Sequence, residues 1–240
     1  MQLITSIGLL ATLQATLAHP QQSQDRCPTV HVIAARGTGV QPGYDILLPL
    51  VDKIKSTYAG ATSEALGYPA CGGGSSCGGI SYKISAEMGT VAVAKAVNEF
   101  HKKCPETQLV LMGCSQGSQI IDNALCGGDD PSPPNPASSG TTNAAVPICP
   151  SAAKMVKAAI FVGNPRFQPA FSYAVGTCKS GYGFDARPES FTCPNGDKIR
   201  SYCDKEDPYC CHGHDSKVHG EYVQKYGEKI LEYVNSKLAG

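Results

Sequence analysis

Three stretches of the chain run apolar without alternation: residues 30–35 (VHVIAA), 109–112 (LVLM) and 158–162 (AAIFV), the last two followed by glycine. Runs with no polar face predict strands covered on both sides, as in a parallel sheet. Residues 65–68 and 198–202 are weaker strand candidates, which makes five. Between the strands the period changes. Val93, Val97, Phe100 and Cys104 are spaced four, three and four apart, one stripe of a helix over 85–103. Val223, Ile230, Val234 and Leu238 form a similar stripe in a closing helix, with Glu221, Lys225, Lys229 and Glu232 on its other faces. Strand–helix alternation in one domain predicts an α/β fold around a central, mostly parallel five-stranded sheet.

Two segments depart from this pattern. Residues 1–18 (MQLITSIGLLATLQATLA) are uncharged, leucine-rich in the middle and too short to span a bilayer. They end on small residues at the positions a signal peptidase inspects, so the expectation is a signal peptide, a single secreted domain over 19–240, and an extracellular protein. Residues 127–150 hold six prolines. Cys126 and Cys149 bracket them and neither flank carries a complete set of elements, which favours a surface loop over an interdomain linker. No later stretch is apolar and long enough for a membrane anchor.

Composition narrows the classes. Twenty basic and twenty acidic side chains leave no net charge, so there is no long-range field to hold nucleic acid or an anionic membrane. The absence of tryptophan counts against an appended sugar-binding module. Twelve cysteines behind a leader point to disulfides rather than redox thiols. Cys71 and Cys77 are the easiest local pair. The run Cys210-Cys211-His212-Gly213-His214-Asp215 looks superficially like a metal cluster, but adjacent cysteines in an oxidised chain more often serve two separate crosslinks. No metal and no cofactor are expected. Without an Asn-x-Ser/Thr sequon, N-glycosylation is not expected either.

Candidate chemistry lies after the second strong strand, at Gly113-Cys114-Ser115-Gln116-Gly117. This is G-x-S-x-G between a strand and a helix, the context in which it forms a nucleophile elbow. A strained turn lifts the Ser115 hydroxyl above the sheet at a helix N-terminus, and the Gln116 N–H faces the charge that develops there. A packed serine in a tight turn is the alternative for the pentapeptide alone. Cys114, by its position, is better read as buried or disulfide-bonded than as the nucleophile. A base should follow with its acid in the order Ser, acid, His. His31 lies within a strand, His101 ends a helix, His19 lies near the start, and His212 and His214 sit among the cysteines. His219, just before the closing helix, is the best base. The acid should follow a late strand, where Asp204, Glu206 and Asp207 occur. Pro208 holds Asp207 extended, whereas a solvated acidic turn suits Asp204 and Glu206. Asp45 and Asp52 precede the serine and fit the wrong order.

Taken together, the chain resembles the cutinase superfamily, and within it acetylxylan esterases of carbohydrate esterase family five. The residues that carry the likeness span nearly all of residues 19–240. They include Cys27-Pro28, Ala35-Arg36-Gly37-Thr38, Tyr68-Pro69-Ala70-Cys71-Gly72-Gly73, the elbow, and Ala124-Leu125-Cys126-Gly127-Gly128. Further along are residues 157–163, Tyr202-Cys203-Asp204, Asp207-Pro208-Tyr209-Cys210-Cys211, and His219 before a Tyr-rich helix. The resemblance implies a compact α/β-hydrolase three-layer sandwich and a Ser115–His219–Asp207 triad, with Thr38 beside Gln116 as oxyanion contributor. It also implies disulfides 27–104, 71–77, 126–211, 178–210 and 193–203, leaving Cys114 and Cys149 over. Cys114 stands where the family usually has tyrosine, and Gly37-Thr38-Gly39 is closer to the cutinase version. Among residues 212–218 only Val218 is apolar, whereas cutinases carry several aliphatic residues there. The expected function is a monomeric serine esterase releasing acetate from plant-wall xylan, with a cutinase as the alternative. A non-catalytic secreted binding protein is the reading from another class.

Overall fold

A computed structural model describes residues 27–127 and 147–239. The leader expected at 1–18 and most of the proline-rich loop expected at 127–150 lie outside those residues. The chain passes through β1 (Val30–Ala35), α1 (Leu48–Thr57), β2 (Thr62–Ala65), α2 (Tyr82–Lys103) and β3 (Gln108–Cys114). It continues through α3 (Gln116–Cys126), α4 (Pro150–Met155), β4 (Val156–Val162), β5 (Ala174–Val175), β6 (Ile199–Tyr202) and α5 (Tyr222–Leu238). The sheet has six strands in the order β2-β1-β3-β4-β6-β5, every pairing parallel.

The sheet separates two apolar cores, and strand alternation decides which residue joins which. Val30, Val32 and Ala34 of β1, Val110 and Met112 of β3, and Ala158, Ile160 and Val162 of β4 meet Leu50, Val51 and Ile54 of α1 and Ile230, Val234 and Leu238 of α5. Their neighbours Ile33, Leu109, Leu111, Ala159 and Phe161 turn the other way, onto Val93 and Val97 of α2 and Ile120, Ile121 and Leu125 of α3. Both faces of the central strands are thus dry, which is why their sequences are apolar throughout. The result is the expected three-layer α/β sandwich.

The strand count of five is corrected to six. β5 has two residues and sits at the sheet edge beside β6, too short to leave a periodic signal. The strand expected at 65–68 lies earlier, at Thr62–Ala65. Its sequence TSEA alternates between exposed and half-buried positions, as an edge strand does, so no apolar run marks it. Leu66 keeps one ladder contact with the Ala34 carbonyl at 2.8 Å before the chain turns away. The α2 helix begins at Tyr82, three residues before the expected start, because the Ser81 hydroxyl caps it by accepting from Ile84 N–H.

Five disulfides occur: Cys27–Cys104, Cys71–Cys77, Cys126–Cys193, Cys178–Cys211 and Cys203–Cys210. Cys114 and Cys149, the two that the expected pairings left over, are free. The expected pairs 126–211, 178–210 and 193–203 are incorrect, and the sheet supplies the reason for two of them. Cys126 and Cys193 belong to the core under α2 and α3. Cys178, Cys203, Cys210 and Cys211 belong to the core under α1 and α5. A bond spanning Cα–Cα distances of under about 7 Å cannot cross a dry sheet, which excludes 126–211 and 193–203. With Cys203 then left to Cys210, Cys178 takes the adjacent Cys211. Adjacent Cys210 and Cys211 do serve two separate crosslinks. The sulfurs of Cys178, Cys203 and Cys211 lie within 4.8 Å of one another, but all three are consumed in disulfides and offer no thiolate to a metal.

Candidate active site

Parallel strands deliver their C-terminal ends to one edge, and loops leaving that edge are free to carry chemistry. Here β1 leads to Arg36, Gly37 and Thr38, β3 to Ser115, β4 to Gly163 and β6 to the segment from Asp204 to Asp207.

Ser115 occupies a backbone conformation of φ 53°, ψ −123°, costing about 1–3 kcal/mol for a residue with a Cβ. The surroundings enforce it. Ser115 N–H donates to the Val162 carbonyl at 2.9 Å, and Ser118 N–H returns to the Ser115 carbonyl at 2.8 Å. A Cβ at Gly117 would collide with the Ala35 carbonyl, and one at Gly113 would lie 2.5 Å from the Gly117 backbone. Only glycine on both sides lets β3 and α3 close to this distance. The elbow expected from G-x-S-x-G is formed.

Gln116 heads α3, where its N–H has no intrahelical partner. Its side chain is fully buried and already committed: Nε2 donates to the Cys71 carbonyl at 3.1 Å, and Oε1 accepts from Ser85 Oγ at 2.8 Å. The Thr38 hydroxyl is buried without a hydrogen-bond partner. Its loop is tied down by Arg36, whose Nε donates to the Val40 carbonyl at 2.8 Å and Nη2 to the Tyr68 carbonyl at 2.7 Å.

His219 and Asp207 meet directly, with Nδ1 at 2.7 Å from Oδ2. Asp207 is fully buried, yet both its oxygens face donors. Oδ2 also accepts from the Tyr222 hydroxyl at 2.7 Å, while Oδ1 accepts the backbone N–H of Tyr209 at 2.7 Å and of Cys210 at 3.3 Å. Burial alone would push the Asp207 carboxyl up; the His219 bond and charge, then Tyr222 and the Tyr209 N–H, outweigh it and hold it below its ordinary value. The Tyr209 ring packs at 4.5 Å from the imidazole. The imidazole also rests on Gly163 (φ +60°), where a Cβ would come within 2.5 Å of His219 Cε1. Gly163 follows Val162, whose carbonyl holds Ser115 N–H. Ser115 and His219, the candidate nucleophile and candidate base, therefore rest on the same strand end.

Other candidates fall away. His31 is buried in β1, its Nδ1 2.7 Å from Thr62 Oγ1 and its ring stacked on Phe100. His101 Nδ1 lies 2.9 Å from Met155 Sδ. His212 and His214 are exposed, and His19 lies outside the described residues. Glu206 is exposed, as expected, but Asp204 is not the solvated turn residue anticipated. It is buried, and it accepts from Lys225 Nζ at 2.6 Å, Tyr226 OH at 2.7 Å and Thr177 at both N–H and hydroxyl. Those donors outweigh the burial that would raise it, so its carboxyl too lies below the ordinary value.

Sequence reasoning missed Tyr222. Its hydroxyl accepts from Asp204 N–H at 3.0 Å while donating to Asp207, so one side chain joins the two acidic positions. The available signal was Tyr222 and Tyr226 heading the stripe of α5, but tyrosine at helical spacing reads as core.

The sequence model of the family described as cutinase matches residues 26–238. Acetylxylan esterase of Hypocrea jecorina is 53% identical over 89% of this chain and 68% of its own. Acetylxylan esterase 2 of Talaromyces purpureogenus is 52% identical over 88% of both, and cutinase 11 of Verticillium dahliae is 52% identical over 98% of this chain and 77% of its own. The catalytic core domain of acetyl xylan esterase from Trichoderma reesei superposes with a TM-score of 0.82 at 52% identity, over 88% of this chain and all of that one.

Proposed function

The chain belongs to the cutinase family, and from that premise we propose that it is a serine esterase that removes acetyl groups from xylan through Ser115, His219 and Asp207. Ser115 Oγ attacks the ester carbonyl while His219 Nε2 takes its proton. Asp207 holds Nδ1–H, fixes the tautomer and stabilises the imidazolium. The Thr38 hydroxyl and N–H and the Gln116 N–H receive the oxyanion. The alcohol leaves with the proton from His219, water attacks the acyl-enzyme by the same route, and acetate departs.

The observation that carries this reading is the buried carboxylate holding His219 Nδ1 at 2.7 Å, with the imidazole seated beside the residue that holds the strained Ser115. Two of the similar proteins are acetylxylan esterases, and the approach to His219 is polar, residues 212–217 carrying no aliphatic cover for a long acyl chain. A second reading, a cutinase acting on longer aliphatic esters, is favoured by the equally similar cutinase 11. We further propose a secreted monomer, with residues 1–18 as leader and 19–240 as one domain carrying the proline-rich loop on its surface. Among the described residues no helix is long and apolar enough to cross a membrane.

An acyl-length series of p-nitrophenyl esters, run beside acetylated xylan, tests the reading. Acetate release from xylan with a steep fall beyond acetyl is expected. Equal rates on butyrate and longer chains, without release from xylan, would select the cutinase. No turnover and no labelling of Ser115 by a fluorophosphonate would mean a binding protein.

A further inference from the structure

Asp45 precedes the serine and cannot be the triad acid by chain order, yet it lies at the heart of the site. It is a half-buried non-glycine residue with φ +54°, a left-handed conformation that its surroundings must maintain. Its Oδ1 accepts Ile46 N–H at 2.7 Å, and its Oδ2 accepts Gly37 N–H at 2.9 Å. The short turn Asp45–Leu47 packs against β3, and the Asp45 carboxylate helps push the buried Cys114 thiol up. Gly37 immediately precedes Thr38, and Cys114 immediately precedes Ser115. Gly37 is wedged between the two: a Cβ there would lie 3.3 Å from Asp45 Oδ2 and 3.4 Å from Ser115 Cβ.

We propose that Asp45 is a positioning residue that clamps the loop carrying Thr38 onto the strand carrying Ser115, so setting the reach from the nucleophile to the oxyanion donors. The inference rests on the oxyanion role given to Thr38 above. Arg36 anchors the loop from one side through the carbonyls of Val40 and Tyr68, and Gly39 N–H adds a bond to the Ala70 carbonyl at 2.7 Å. Those anchors flank Thr38 and hold it from the side away from β3. On the side facing β3, the Asp45 carboxylate holds Gly37 N–H at 2.9 Å from a turn that itself packs against β3. Burial pushes the Cys114 thiol well above its ordinary value, and the Asp45 carboxylate adds to that, so the thiol stays protonated.

The test compares Asp45→Ala, Asp45→Asn, Thr38→Ala and the Asp45→Ala/Thr38→Ala double variant on p-nitrophenyl acetate, with thermal unfolding of each as a folding control. Asp45→Ala is expected to lower kcat about 10–100-fold with KM within about threefold, the signature of an interaction realised in the transition state. Asp45→Asn keeps an acceptor for Gly37 N–H and should recover to within about fivefold of the wild type. In the double variant the cost should stay within about threefold of Thr38→Ala alone, since residues acting through one another are not additive. Full activity of Asp45→Ala, costs that multiply in the double variant, or an Asn variant as poor as the Ala variant would each overturn the role of Asp45. A fully active Thr38→Ala is a separate result: it removes the oxyanion reading and this proposal with it.

Discussion

The Tyr222 hydroxyl is the most informative single group to remove. Tyr222→Phe deletes a donor to the buried Asp207 carboxylate and an acceptor for Asp204 N–H, in a side chain only 1% exposed. A hydrogen bond to a charged group contributes about 1.5–3 kcal/mol, and a buried N–H left without a partner costs about 1–3 kcal/mol. Phenylalanine keeps the ring contacts, so the two terms together give a destabilisation of about 2.5–6 kcal/mol, or about 5–24 °C in Tm for a domain of this size. The triad should survive. Asp207 retains His219, Tyr209 N–H and Cys210 N–H, so kcat/KM on p-nitrophenyl acetate should fall by no more than about tenfold, near 1.4 kcal/mol. With one donor gone from Oδ2, the charged form of Asp207 is less favoured, and the acid decline in stability should begin at higher pH. Thermal unfolding of the purified variant at neutral and acid pH checks both parts. An unchanged Tm would refute the bridging role of the hydroxyl, and an acid decline moved to lower pH would refute the electrostatic argument.

Ser115→Ala should lower kcat by about 10⁴–10⁶-fold, read by p-nitrophenyl acetate turnover; substantial residual activity would dismiss it as nucleophile. Arg187→Ala should cost about 3–5 kcal/mol in urea unfolding, because Arg187 and Asp122 are both 1% exposed and paired. Asp204 and Asp207 both lie below the ordinary carboxylate value when folded. Their stabilisation is therefore complete above the unfolded value of about 3.9 and is lost as pH falls through the folded values. Acid titration of stability should show a plateau above about pH 5 and a decline below about pH 4; a decline setting in near neutrality would contradict this assignment.

What the sequence disclosed follows from what each signal encodes. The strand at Val30–Ala35 has the bounds its apolar run implies, and β3 and β4 extend theirs by a few residues, because strands dry on both faces are written in composition alone. β2 and β5 lie at the sheet edges, where one side is wet or the strand is two residues long, and composition is silent. G-x-S-x-G located Ser115 because the turn needs glycine at fixed offsets. The meeting of Asp207 with His219 was reachable by order and by Pro208, but the parts played by Tyr222 and Asp45 were not. Their roles come from contacts made across 15 and 8 positions by side chains that any packed core could hold. The disulfide partners failed for a similar reason: cysteine spacing carries no record of which face of the sheet each thiol occupies.

Asp207 sits inside a small covalent ring, closed by Cys203–Cys210 and buttressed by Cys178–Cys211, while the strands beneath are held by their own ladders. Chemical competence and architectural integrity consequently have separate thresholds. Replacing Cys203 and Cys210 together by alanine should slacken the acid's enclosure and lower turnover while far-ultraviolet circular dichroism still reports an intact sheet.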